Sequence, residues 1–239
     1  MNKLSITVVM PTYNGSRYLE NQIESILCQL KKNDKLLILD DNSTDNTTDI
    51  LNKYKNNDFI EVFYNSHNIG VNRSFFELIE KVKTQLCIFC DQDDVWLGGR
   101  VDFVRNNGTN SLTLSNFNII FSNNVIQKSN IRNISIMNTF FFPKFPGCSM
   151  GGSTSVIKNL LIYKPRYSLY DQYILSIATI LNVPFKIDIN STINYRRHKD
   201  TVTQYGSYAP NGILTSIGRR IALSFDLCIG LIFYLLNKK

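Results

Sequence analysis

Three carboxylates, Asp91, Asp93 and Asp94, fall within four residues, directly after the apolar run Leu86-Cys87-Ile88-Phe89-Cys90. Ionised carboxylates crowded into a partly dry site raise one another's pKa, and a divalent cation with oxygen ligands relieves that repulsion. The spacing therefore points first to a metal. The same residues also fit a polar loop after a buried strand. Three further polar clusters follow apolar runs: Pro11-Thr12-Tyr13-Asn14, Asp40-Asp41-Asn42-Ser43, and Asn68 to Arg73. Asp40 or Asp41 at a strand end can accept hydrogen bonds from a base imide or a ribose hydroxyl, and Tyr13 offers a ring to a base face. Arg73 suits a phosphate because its planar fork donates bidentately. Taken singly, Asp41 with Ser43 and Thr44 reads equally as helix capping, and Arg73 as a solvated helix charge.

These clusters need elements that bring them together. Leu4 to Met10 reads as a buried strand ended by Pro11, Asn14 and Gly15. An amphipathic helix over 16–30 follows, then a strand at Lys35 to Leu39 and a helix from the capping run at 42–47 to Tyr54. Phe59 to Tyr64 alternates as a strand, Val71 to Val82 as a helix, and Leu86 to Cys90 as a fourth strand. Strand and helix alternating at this spacing predict right-handed βαβ units, hence an α/β fold with a mostly parallel sheet flanked by helices. In such a sheet the four clusters leave one edge and converge on one crevice. The second half is less regular. Leu112 to Ser122 reads as strand, Gly147 to Ile157 places small residues where backbones approach, and Tyr170 to Leu181 is a helix with Asp171 in its first turn. Pro184 to Ile189 and Ile193 to Tyr195 read as two short strands before Arg196-Arg197-His198-Lys199.

Composition bounds the partners. The chain of 239 residues carries a net charge of +7, but its basic residues form no dense run, which argues against nucleic acid and fits a phosphate-bearing substrate or an anionic surface. The five cysteines have no paired spacing, and Cys87 and Cys90 point to opposite faces of their strand, against a zinc pair. The start, Met1 to Met10, is too short and polar for a secretory leader, and a cytoplasmic protein is expected. From Ile221 to Leu236 the chain is almost wholly apolar, flanked by Arg219-Arg220 and Lys238-Lys239 and interrupted by Asp226. As a helix of ~24 Å it falls short of the ~30 Å hydrocarbon core, so packing on its own domain or on a partner and lying in a membrane interface come ahead of a true span. The expected division is 1–210 as one domain, with halves 1–105 and 106–210, and 211–239 as an apolar, basic-flanked helix.

The segments VVMPTYNGSRYL, ILDDNSTDNT, NIGVNRSF and FCDQDDVW, in this order, resemble the nucleotide-sugar half of the family 2 inverting glycosyltransferases, which have the GT-A fold. GCSMGG, YDQYIL and YRRHKDTVT resemble the acceptor half of the bacterial subgroup that includes rhamnosyltransferases and other O-antigen or capsule sugar transferases. The resemblance spans roughly residues 4–204. It implies that Pro11, Thr12, Tyr13, Asn14, Asp40 and Asp41 hold the nucleoside, with Arg73 near the diphosphate. Asp91-Gln92-Asp93 would be the DxD motif, with Asp93, Asp91 and His198 around Mg or Mn. Asp171 falls where the family's base sits, and its place at a helix start sets the expectation of a low pKa. Inverting transfer from a UDP- or dTDP-linked sugar to a growing, polyprenyl-linked glycan at the inner membrane face is the expected activity. The alternatives are a sugar nucleotidyltransferase and a catalytically retired scaffold subunit. Tyr170 stands where the family often has His, and Thr201 and Thr203 where Asn and Gly are common.

Overall fold

The computed structural model describes residues 4–121, 124–141, 145–198 and 213–237. Strand β1 (Ile6–Thr12) is buried throughout and is followed by helix α1 (Leu19–Leu27). Then come β2 (Lys35–Asp40), α2 (Thr47–Lys53), β3 (Ile60–Tyr64), α3 (Val71–Lys81) and β4 (Leu86–Phe89). These are the alternating elements expected from the sequence. They pair in parallel in the order β3-β2-β1-β4, which brings Thr12 level with Asp40 and Val9 level with Phe89.

Pro11 does not end β1 but lies inside it. The main-chain oxygen of Val9 accepts from Cys90 at 3.0 Å, and that of Thr12 accepts from the amide of Asp41 on the other side. The alternation turns Pro11 towards β4 beyond its last paired residue, Phe89, where no amide hydrogen is needed.

Beyond β4 the sheet becomes mixed. The remaining elements are β5 (Val95–Trp96), α4 (Arg100–Asn107), β6 (Leu112–Phe121), β7 (Asn124–Lys128), β8 (Met150–Ser153), α5 (Thr154–Leu160), α6 (Tyr170–Ile180), β9 (Phe185–Arg196) and α7 (Ile213–Leu236). β8 joins β4 and β6 antiparallel, β9 runs parallel to β6, and β5 closes the far edge against β9. The small residues of β8 are required. A Cβ on Gly152, at φ +138°, would lie 2.3 Å from the Ser111 oxygen, so this close approach to the start of β6 requires glycine. The two short strands expected at 184–195 are a single strand. Its register against β6 shifts on either side of Asn116, whose amide nitrogen bridges the oxygens of Ile131 and Asp188.

Helix α7 packs on the body of the domain. Leu223, Asp226 and Leu227 are buried, and a Cβ on Gly230 would sit 1.9 Å from the Tyr173 hydroxyl of α6. Its opposite side leaves Ile217, Ile221, Phe225, Ile232, Leu235 and Leu236 exposed. Among the described residues no helix is long and apolar enough to cross a membrane. The expected boundary at 210/211 lies outside the described residues.

Candidate active site

The carboxyl ends of β1, β2 and β4 form one edge of the crevice. Gln92 holds the first and last of these strands together: its Oε1 accepts from Thr12 Oγ1 at 2.5 Å and from the Tyr13 amide at 2.9 Å, and its Nε2 donates to the Tyr13 oxygen at 3.0 Å. A Cβ on Gly15 would lie 2.2 Å from that same Oε1, which is why glycine ends the Pro-Thr-Tyr-Asn-Gly turn. Asn14, at φ +48°, accepts from the Thr44 amide through Oδ1 and is itself held by Ser43 Oγ. The buried Asp40 carboxylate accepts from the Ser43 amide and hydroxyl, and buried Asp41 accepts from Asn65 Nδ2 and the amides of Ile69 and Gly70. Both acids therefore shape the loops around a ligand, and Tyr13 is left 44% exposed at the rim. Arg73 is exposed on the first turn of α3 and makes no ion pair among the described residues.

The acidic cluster lies where β4 ends. Burial, followed by the charges of Asp93 and Asp171, pushes Asp91 up to about 7. Asp94 is fully buried and, mainly through desolvation, raised well above the usual carboxylate range; its Oδ1 accepts from the Arg196 amide at 3.0 Å. Ligating atoms of Asp91, Asp94 and Cys148 all lie within 4.8 Å of one another. Asp93 instead turns to His198, whose Nε2 is 2.8 Å from Oδ2, and its main-chain oxygen accepts from Arg196 Nε. Tyr18 packs against the His198 ring at 5.1 Å, and the Arg196 guanidinium lies over Tyr18 at 4.6 Å. The end of β9 thus brings the basic segment onto the acids.

Asp171 opens α6. Its Oδ1 accepts from the Gln172 amide at 2.7 Å, yet burial outweighs such bonds and pushes the carboxyl up to about 6. The low pKa expected from its place at a helix start is not found, because desolvation exceeds the helix-end effect. Tyr170, beside it, stacks with Phe75 and Phe89 and presses its hydroxyl where a Gly147 side chain would lie. Thr201 and Thr203 lie outside the described residues.

The donor set fits a hard cation. Asp91 and Asp93 offer oxygens, Asp91 carries a pKa raised by burial and then by the neighbouring acids, and Asp94 Oδ2 is buried without a hydrogen-bond partner. Desolvation raises the Cys148 thiol well above its ordinary value, so this sulfur stays protonated and is a poor ligand. Arg100, fully buried, donates through Nη2 to the oxygens of Cys148, Phe89 and Met150 and lies over the Trp96 ring, a fixed positive charge beneath the cluster.

This arrangement, a parallel half joined to a mixed half with acids at the seam, is that of the GT-A fold. The chain belongs to glycosyl transferase family 2, whose model matches residues 7–141. It is 28% identical over 214 residues to the dTDP-rhamnosyl transferase RfbG of Shigella flexneri, covering 80% of this chain and 72% of that protein. To a UDP-Glc:α-D-GlcNAc-diphosphoundecaprenol β-1,3-glucosyltransferase of Escherichia coli, WfgD, it is 23% identical over 167 residues, 68% of this chain and 63% of that one. The Staphylococcus aureus protein TarS, crystallised with UDP-GlcNAc, superposes with a TM-score of 0.72 over 93% of this chain and 66% of that chain at 18% identity, which shows the fold. Family membership sets aside the nucleotidyltransferase alternative.

Arg100 joined the site without a signal in the sequence, whereas Asn72 and Cys148 lay inside the runs Asn68 to Arg73 and Gly147 to Ile157 without a role of their own. Arginine and asparagine near a helix start read as solvated, and only Gly98-Gly99 before Arg100 hinted at a tight entry into α4.

Proposed function

We propose that this enzyme moves a sugar from a nucleoside diphosphate donor to a hydroxyl of a lipid-linked surface glycan, inverting the anomeric carbon. The observation that carries this reading is Asp171, a carboxyl raised to about 6 in a crevice it shares with Asp91. A base of that pKa is ionised at neutral pH and still takes a proton readily. The acceptor O–H proton passes to the Asp171 carboxylate as the acceptor oxygen bonds to the anomeric carbon. The bond from that carbon to the diphosphate oxygen breaks with its electron pair, and the nucleoside diphosphate leaves. Asp93 and Asp91, with His198, would hold Mg or Mn, which when bound neutralises the departing diphosphate. Arg73 would add a guanidinium to the same charge. Pro11, Thr12, Tyr13, Asn14 and Gln92 shape the nucleoside subsite, and Asp40 and Asp41 hold its loops while offering their remaining lone pairs.

The names of the relatives support dTDP- or UDP-linked donors and a diphosphoundecaprenol-linked acceptor. The exposed apolar side of α7 supports peripheral contact with the cytoplasmic membrane face, where such an acceptor resides. Residues 1–105 form the donor half in this reading, and 106–210 the acceptor half. The test is transfer from UDP-glucose, UDP-GlcNAc and dTDP-rhamnose to a synthetic α-D-GlcNAc diphosphate lipid, with Mn and with EDTA. Product with an inverted anomer that disappears in EDTA is expected. Retained configuration refutes the displacement, and full activity in EDTA refutes the metal.

A further inference from the structure

Asp226 lies in the middle of α7, with no exposed surface, and its carboxylate gathers five hydrogen bonds. Oδ1 accepts from Tyr163 Oη at 2.7 Å and the Arg166 amide at 3.1 Å; Oδ2 accepts from the Tyr167 amide at 2.9 Å and from the Ser168 amide and hydroxyl, both at 2.8 Å. Burial alone would raise this carboxyl, but these donors outweigh it and hold the pKa below the ordinary value. One side chain of the last helix thus fixes three successive amides of the segment that enters α6. The same segment is gripped from the donor half. Asn72, next to Arg73 on α3, donates from Nδ2 to the Ser168 oxygen at 2.9 Å and accepts at Oδ1 from the Tyr170 amide at 3.1 Å. Asp171 is the next residue along the chain. A third point fixes the same helix, since Gly230 of α7 packs against the Tyr173 hydroxyl.

We infer that Asp226 and Asn72 are positioning residues for the base: together they set the entry of α6, and with it Asp171, relative to the donor held at α3. The inference rests on the glycosyl-transfer reading and adds a task for the C-terminal helix. Replacing Asp226 by Asn leaves one acceptor oxygen for five donors, so the amides of residues 166–168 lose their common partner. Replacing Asn72 by Ala frees the Ser168 oxygen and the Tyr170 amide without touching α7. Asp226 is fully buried, and both polar atoms of Asn72 are engaged at the entry of α6. Their loss should act on kcat, because small displacements of a reacting group are costly while donor contacts persist.

The experiment compares Asn72→Ala, Asp226→Asn and Asp171→Asn with the parent protein. It uses the transfer assay above and a carbon-13 NMR titration of the aspartate carboxyls, in which the resonance missing from Asp171→Asn identifies Asp171. Asn72→Ala should lower kcat by ~10- to 100-fold with the donor KM unchanged. The Asp171 midpoint should fall from about 6 towards the ordinary carboxylate value as water enters the loosened helix start. The NMR readout needs no substrate, and Asn72→Ala decides the matter if Asp226→Asn does not fold. Parent kcat with an unchanged midpoint overturns the inference, and so does a fall in kcat matched by an equal rise in donor KM. If Asp171→Asn itself transfers at the parent rate, the base assignment has failed. If Asp171→Asn is inactive while Asn72→Ala is unaffected, the positioning inference alone has failed.

Discussion

Replacing Asp171 by Asn isolates the proton acceptor from everything else the residue does. The amide keeps the size of the carboxyl and an Oδ1 that accepts from Gln172, so α6 should start unchanged. With a carboxyl pKa of about 6, the base is about 97% ionised at pH 7.5 and about 9% ionised at pH 5. Parent kcat should therefore be flat above neutrality and fall tenfold per pH unit well below 6. Loss of a positioned base is worth ~10²- to 10⁴-fold in rate, or about 2.7 to 5.5 kcal/mol of transition-state stabilisation. Asp171→Asn should show that loss in kcat, no acid limb in its residual rate, and parent-like nucleotide affinity by calorimetry.

Stability gives an independent check. The folded carboxyl has the higher pKa, so between its ordinary 3.8 and about 6 it holds a proton that the unfolded chain has released. Stability therefore falls as pH rises through that window and stays lower above it. At neutral pH Asp171→Asn should unfold at the same urea concentration as the parent or a higher one. Inactivity in a protein that is no less stable is the signature of a catalytic group. A variant that keeps more than a tenth of parental transfer, or a parental kcat that stays flat to pH 5, would refute the assignment.

At the opposite edge of the sheet, Asp34 accepts from Arg105 at 2.6 Å in a pair with both side chains buried, and from the amides of Ile6 and Lys31. Asp34→Ala leaves the buried guanidinium only the Leu4 oxygen and the half-exposed Asp102 at 3.7 Å, and should cost about 3–5 kcal/mol by urea unfolding, while the surviving folded fraction binds nucleotide normally; a loss under about 1 kcal/mol contradicts this account. On α7, Ile221→Ser with Phe225→Ser removes exposed apolar surface without touching Asp226, so association with phosphatidylglycerol vesicles should fall several-fold at unchanged nucleotide affinity. Equal association would show that this side of the helix does not meet lipid.

The alternating half of the fold was legible because each strand is a short apolar run and each helix carries one apolar face. α4 was not. Its buried side includes Arg100 and Arg105, so it has no apolar stripe to read. β5 escaped notice because two residues form a strand only when Ile193 and Asn194 arrive beside them. β9 looked broken at Asn190-Ser191-Thr192, beside the register shift that falls between Asp188 and Ser191. In the site, the types and positions of Asp40, Asp41 and Asp91 were readable, but their hydrogen-bond partners were not, since these come from loops remote in the chain. The same blindness applied to Asp226. In the sequence it interrupts an apolar helix, whereas in the fold it is the reason that helix docks.

A common logic explains where these long-range contacts occur. Each strand or helix end that faces the crevice is fixed by a side chain from another segment: Gln92 fixes the turn after β1, the amide of Arg196 fixes Asp94, and Asn72 fixes the start of α6. Crowded acids repel, so a loop carrying Asp91, Asp93 and Asp94 cannot hold its shape through its own contacts. Arg100 beneath the cluster and Arg196 beside it counter that repulsion while His198 bonds Asp93, the last two brought in by the end of β9. The acids come from the end of β4, and the groups that make them tolerable come from the neighbouring α4 and from the distant β9. An acidic cluster of this charge therefore depends on segments remote in the chain and takes its shape in the assembled domain.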